Sequence, residues 1–143
     1  MFRRFLLALL IFFALFARAD ESLRVTLSVG AHSIEAEVAT TESTRARGLM
    51  HRSELAKNAG MLFMFSRPGT YSLWMVNTLI PLDAAFLDNT GVILGIVTMS
   101  PHDSTIHSSP DDTAYALETN AGWFSKRGIK PGARVQGLPR YYK

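Results

Sequence analysis

The chain opens with two runs of strict alternation. Leu23, Val25, Leu27 and Val29 are apolar where Arg24, Thr26 and Ser28 are polar. After Gly30, Ala31 and His32 the alternation resumes, with Ile34, Ala36 and Val38 set against Ser33, Glu35 and Glu37. A period of two predicts half-buried strands, and the break between the runs predicts an antiparallel hairpin with one wet face. Thr40 or Thr41 then caps a short helix, with Glu42 in its first turn and Gly48 at its end. Residues 61–65 are apolar without interruption and are bounded by Gly60 and by Arg67, Pro68 and Gly69. So short a run reads as a strand buried on both faces, and Pro68-Gly69 fits a type II turn into a hairpin partner. In that partner Tyr71, Leu73 and Met75 share one face, and Ser72 and Trp74 the other.

Further along, Leu82, Ala84 and Phe86 alternate with Asp83, Ala85 and Leu87. Asp88, Asn89, Thr90 and Gly91 predict a turn into another apolar strand over 92–99, where Gly95 marks a bulge. Residues 100–112 are polar and read as a long surface loop. Tyr115 and Leu117 begin a further strand with Glu118 pointing the other way. Asn120 then opens a helical turn that stops at Gly128, and Pro131-Gly132 turns the chain into a last strand around Val135. The expected architecture is mainly β, a β-sandwich or partly open barrel with one or two short helices, and no β-helix-β alternation calls for a parallel sheet.

Composition changes this picture mainly at the N-terminus. Arg3 and Arg4, the apolar run over 5–16 and the small-residue site Ala17-Arg18-Ala19 have the three parts of a secretory signal peptide. The expected organisation is a signal peptide at 1–19 and one domain over 20–143 with its core at about 23–135. The expected location is the bacterial periplasm or the medium, with membrane contact only through an uncleaved signal segment. Of 15 basic residues, Arg3, Arg4 and Arg18 lie in that segment, leaving 12 against 12 acidic ones. A balanced domain lacks the electrostatic footprint of a nucleic-acid binder. The chain has no cysteine, so packing must stabilise it without disulfides.

Candidate chemistry centres on two acids. Asp83 follows Pro81 in an apolar strand, where a bare carboxylate would be costly to bury. It either braces the fold, accepting from backbone N–H groups or from Arg45 or Arg47, or acts with Glu118 as a general acid/base pair. Trp74, Asn77 and Thr78 lie within five positions at the end of a strand and suit a ligand-contacting face. Arg47 beside Gly48 offers a fork for an anion, and Asn120 is a further candidate ligand contact. His102, Asp103, His107, Asp111 and Asp112 have no compact metal-ligand spacing, and no nucleophile elbow or paired histidine is present. No metal or cofactor is expected, and a binding domain is favoured over an enzyme. The expected function is an exported binding or accessory domain for a small ligand, glycan or peptide. A carboxylate-dependent hydrolase or lyase and an envelope interaction scaffold are the alternatives.

Taken together, Arg47-Gly48-Leu49-Met50, Gly60-Met61-Leu62-Phe63, Trp74-Met75-Val76-Asn77-Thr78, Ile80-Pro81-Leu82-Asp83 and Leu117-Glu118-Thr119-Asn120-Ala121-Gly122 resemble the family called domain of unknown function 192. The resemblance implies a compact, mainly β domain of jelly-roll-like architecture, often exported or membrane-tethered, and brings no reaction, cofactor or catalytic residue. Val76 stands where that family commonly has a basic residue.

Overall fold

The structure, a computed structural model, describes residues 22–140. The expected signal segment lies outside the described residues, and among those described no helix is long and apolar enough to cross a membrane. The fold is mainly β, as expected, with one curled, half-barrel sheet. Its strands are β1 (Arg24–Val29), β2 (His32–Ala39), β3 (Ala59–Gly69), β5 (Leu82–Leu87), β6 (Ile93–Met99), β8 (Thr113–Asn120) and β9 (Val135–Gln136), in the order β6-β5-β8-β3-β2-β1-β9. A separate two-stranded ribbon joins β4 (Ser72–Leu73) to β7 (His107–Ser108). Residues 100–112 are therefore partly strand, not wholly loop.

The opening hairpin forms in the register that the alternation demands, with Leu27 opposite Ile34 and Val25 opposite Ala36. Thr41 caps helix α1 (Glu42–Arg47) through a reciprocal capping box with Thr44. Gly48 ends the helix at φ 47°, a conformation that favours glycine. Asp88 shapes the β5–β6 turn, its carboxylate accepting from the backbone N–H groups of Thr90 and Val92 at 2.8 and 3.0 Å. A register shift between Phe86 and Leu87 places a bulge beside Gly95.

Two expectations fail. β2 and β3 pair in parallel, joined by a crossover that carries α1 and the following loop. Pro68-Gly69 is not a hairpin turn. β3 runs on through both residues and pairs antiparallel with β8, with a register shift between Met64 and Gly69. Pro68 falls in this bulge, where the missing N–H removes no ladder bond.

The central strands are buried on both sides, and the two cores lie on opposite faces. One joins Leu27, Ile34, Leu62, Ala85 and Leu117 to Trp123, Phe124 and Ile129 of the C-terminal segment. The other joins Met61, Phe63, Phe65, Ala84, Phe86 and Ala116 to Leu49, Leu73 and Met75. Gly60 admits the close packing of β3 on β8, since a Cβ there would lie 2.5 Å from the carbonyl oxygen of Glu118. The covering layer on the second face is incomplete, and a cleft opens there.

Candidate functional site

Glu118 lies on β8 between Met61 of β3 and Ala84 of β5, its cross-strand partners. Both neighbours are apolar, and the residue is 5% exposed. Its carboxyl makes no hydrogen bond or ion pair among the described residues, and it lines a cleft of about 400 Å³ between the sheet, α1 and the 71–78 segment. Burial alone pushes it up to about 8, because no cation or donor is near enough to favour the ionised form. At neutral pH it is therefore chiefly a carboxylic acid, able to donate one hydrogen bond and accept others.

The walls are mostly apolar. Phe63 and Phe65 project from β3, Leu49 follows the helix, and Leu73 and Trp74 close the other side. Phe65 and Tyr71 stack with ring centroids 3.7 Å apart and planes 5° from parallel, and the Tyr71 hydroxyl donates to the Arg67 carbonyl at 2.5 Å. Trp74 is 49% exposed, so much of its ring is free at the cleft. Helix α1 supplies the charged rim. Arg45 donates to the carbonyls of Thr40 and Met64 at 2.6 and 3.0 Å, fastening the helix to β3. Arg47 is exposed and its guanidinium makes no hydrogen bond or ion pair among the described residues, and Glu42 also reaches the lining.

The loop after α1 is held from behind. Arg52 grips Glu37 of β2 through two bonds of 2.6 and 2.8 Å. This pairing lowers the Glu37 carboxyl and raises the Arg52 guanidinium. Asn120 donates to the carbonyls of Leu55 and Ala56 at 2.8 and 3.2 Å. Asn58 accepts from Trp123 and Arg127.

Of the residues singled out in the sequence, Arg47, Trp74, Thr78 and Glu118 line the cleft, and Asn77, Asp83 and Asn120 do not. Asn77 is exposed, adopts φ 54°, and its carbonyl accepts from the His51 N–H, so it shapes a turn. Asn120 is spent on the loop. Asp83 is 3% exposed and accepts from the Gly122 N–H at 2.8 Å and from the Thr98 hydroxyl at 2.7 Å. Neither Arg45 nor Arg47 pairs with it. Asp83 sits opposite Thr119 and Ala84 sits opposite Glu118, so the two carboxyls leave the sheet on opposite faces and form no acid/base pair. Among the described residues no group of three or more His, Asp or Glu could hold a metal ion. Asp103 and Asp111 are occupied by Thr105 and Thr70.

Phe63, Phe65, Tyr71 and Leu73 also line the cleft, and nothing in the sequence pattern marks them for it. Their spacing along the chain announced burial, and only the position of α1 leaves a gap beside them.

Residues 25–137 match the domain of unknown function 192 (DUF192) family, described as Uncharacterized ACR. Curated proteins give no match. A crystal structure from Sinorhizobium meliloti 1021, of a protein described as a candidate transcription regulator, is 38% identical with a TM-score of 0.75, covering 80% of this chain and 92% of that one. A crystal structure of a protein of unknown function from Novosphingobium aromaticivorans DSM 12444 is 35% identical with a TM-score of 0.74, covering 80% of this chain and 84% of that one. The chain therefore belongs to the domain of unknown function 192 family.

Proposed function

We propose that the chain is an exported, non-catalytic domain that binds a small ligand in the cleft beneath α1, with Glu118 at its base. The observation that carries this reading is the state of Glu118. A carboxyl that is 5% exposed and has no protein partner costs the fold free energy. An apolar residue between Met61 and Ala84 would spare that cost. A ligand that meets the carboxyl and is clasped by Phe63, Leu73 and Trp74 gives it a purpose. A volume of about 400 Å³ suits a small molecule or the end of a chain better than a folded partner.

The export half of the reading rests on the signal-peptide pattern at 1–19, and intact-mass measurement on protein from its native cell checks it. Retention of residues 1–19 would replace export of a free domain with membrane anchoring. The Sinorhizobium relative is described as a candidate transcription regulator, but the balance of 12 basic and 12 acidic residues outside the signal segment weighs against nucleic-acid binding here.

A second reading has one observation in its favour. A carboxyl raised to about 8 inside a cleft has the poise of a general acid. Asp83 cannot assist it from the other face, and the remaining acid in the cleft, Glu42, is an exposed helix residue. An amide-resolved NMR screen against small organic acids, amides, sugars and amines tests the binding reading. Hits should shift resonances of residues 47–49, 63–65, 73–74 and 118. Hits confined to other surfaces would refute it, and turnover abolished by Glu118→Gln in folded protein would put the enzyme in its place.

A further inference from the structure

Resting on the cleft as the ligand site, we propose that its ligand is a small organic acid carrying an amide, the amide paired with the Glu118 carboxyl and the acid group held by Arg47. The two ends of the cleft differ in kind. At the base Glu118 is enclosed by Met61 and Ala84 and has no charged neighbour. At the rim Arg47 is an exposed guanidinium without a protein partner. Phe63, the stacked pair Phe65 and Tyr71, and the half-exposed Trp74 line the same cleft. A ligand that satisfies all three zones has a polar head, an apolar side group and an anionic tail.

The head group follows from the surroundings of Glu118. An ammonium head would require an ionised carboxylate and a cation together in an apolar setting, and such buried pairs barely repay their desolvation. It would also require Glu118 to lose its proton, which burial opposes. An amide asks for neither. Its carbonyl accepts the carboxyl proton, so Glu118 gains a hydrogen-bond partner without net charge. Amide planes also lie well against aromatic rings. At the rim, the fork of Arg47 matches a carboxylate, a neutral–charged division that an N-acyl amino acid or a peptide C-terminus possesses.

The test is an NMR titration of the full chain with three probes: N-acetyl-leucine, N-acetyl-leucinamide and leucine. N-acetyl-leucine should shift cleft resonances and bind tightest. Removing its acid group in N-acetyl-leucinamide, or removing the guanidinium by Arg47→Ala, should each weaken binding by about tenfold, with no further loss when the two are combined. Glu118→Gln should retain binding, since a carboxamide keeps one donor and one acceptor in place, and Glu118→Leu should abolish it. In the parent protein binding should weaken between pH 7 and 9, and in Glu118→Gln it should not. The other ionisable groups of the cleft are Glu42, Arg45, Arg47 and Tyr71, and Glu118→Gln separates Glu118 from all four. A hexapeptide ending in leucine, run beside N-acetyl-leucine, tells a chain terminus from a free N-acyl amino acid, and tighter binding of either supports the class. Leucine binding as tightly as N-acetyl-leucine, or loss of binding in folded Glu118→Gln, would overturn the amide assignment while leaving the cleft as the site. Failure of every probe to move a cleft resonance would overturn it as well, and the broader screen alone would then decide whether the cleft binds anything.

Discussion

Asp83 and Glu118 sit one register step apart on neighbouring central strands, and the fold treats them in opposite ways. Each is buried, at 3% and 5% exposure. Asp83 faces the side on which Gly122 and Thr98 each aim a donor at it. Glu118 faces the side on which Met61 and Ala84 offer none. The difference separates a carboxylate that ties two segments together from a carboxyl that the fold bears at a cost, and only the second has capacity left for a ligand. Strand parity produces this division, since a one-residue step along a strand exchanges the faces of the sheet.

The largest expected effect concerns Glu118. Its carboxyl is raised from 4.5 to about 8, so the folded state disfavours its ionisation. Relative to acid conditions, stability should fall as pH rises from about 4.5, the loss being complete above about 8. Glu118→Gln removes this loss. The variant should match the parent below pH 4.5, exceed it by about 3 kcal/mol at pH 7 and by about 5 kcal/mol at pH 9, as urea unfolding across pH would show. Equal pH profiles for the two proteins would erase the contrast with Asp83.

Asp83→Ala should act in the opposite sense. Two hydrogen bonds to a charged acceptor are lost, and the Gly122 N–H is stranded, at a cost of about 4 kcal/mol at pH 7. A variant that unfolds at the parent's urea midpoint would show that Asp83 braces nothing. A third carboxylate, Glu37, calibrates the scale. It is partly exposed and gripped by Arg52, so Arg52→Ala should cost about 1 kcal/mol at pH 7. Because the Glu37 carboxyl is lowered, this contribution is present above its ordinary range and vanishes as pH falls below it. The smallest effect on stability is expected at Trp74. With its side chain half exposed, Trp74→Ala should change stability by about 0.5 kcal/mol or less, while any ligand found in the cleft should bind measurably more weakly.

Much of the fold was legible in the chain because local physics decides it. The β1–β2 hairpin follows from its alternation, the Thr41 cap from hydroxyl chemistry, and the Asp88 turn from a short side chain that can bond to its own backbone. What was illegible depends on partners distant in sequence. The crossover between β2 and β3 holds a helix of only six residues, too short to show a helical period, so the parallel pairing left no trace in the pattern. Pro68-Gly69 has the chemistry of a turn, and only β8 lying alongside makes it a bulge. The candidate site was half legible. Arg47, Trp74, Thr78 and Glu118 were singled out for reasons that suit a cleft. Asn77 and Asp83 were singled out for equally good reasons and serve the backbone instead. Alternation told which residues share a face of one strand, but the faces of β5 and β8 could be matched only once their register was known.

The measurement that bears most directly on this account is the titration of Glu118 itself, followed through the carboxyl carbon in protein labelled at glutamate side chains and assigned with Glu118→Gln. The Glu118 carboxyl should stay protonated through the ordinary glutamate range and titrate near pH 8. A midpoint between 4 and 5, the range of an exposed glutamate, would mean that the carboxyl is solvated or paired, and the basis for placing a ligand on it would be gone.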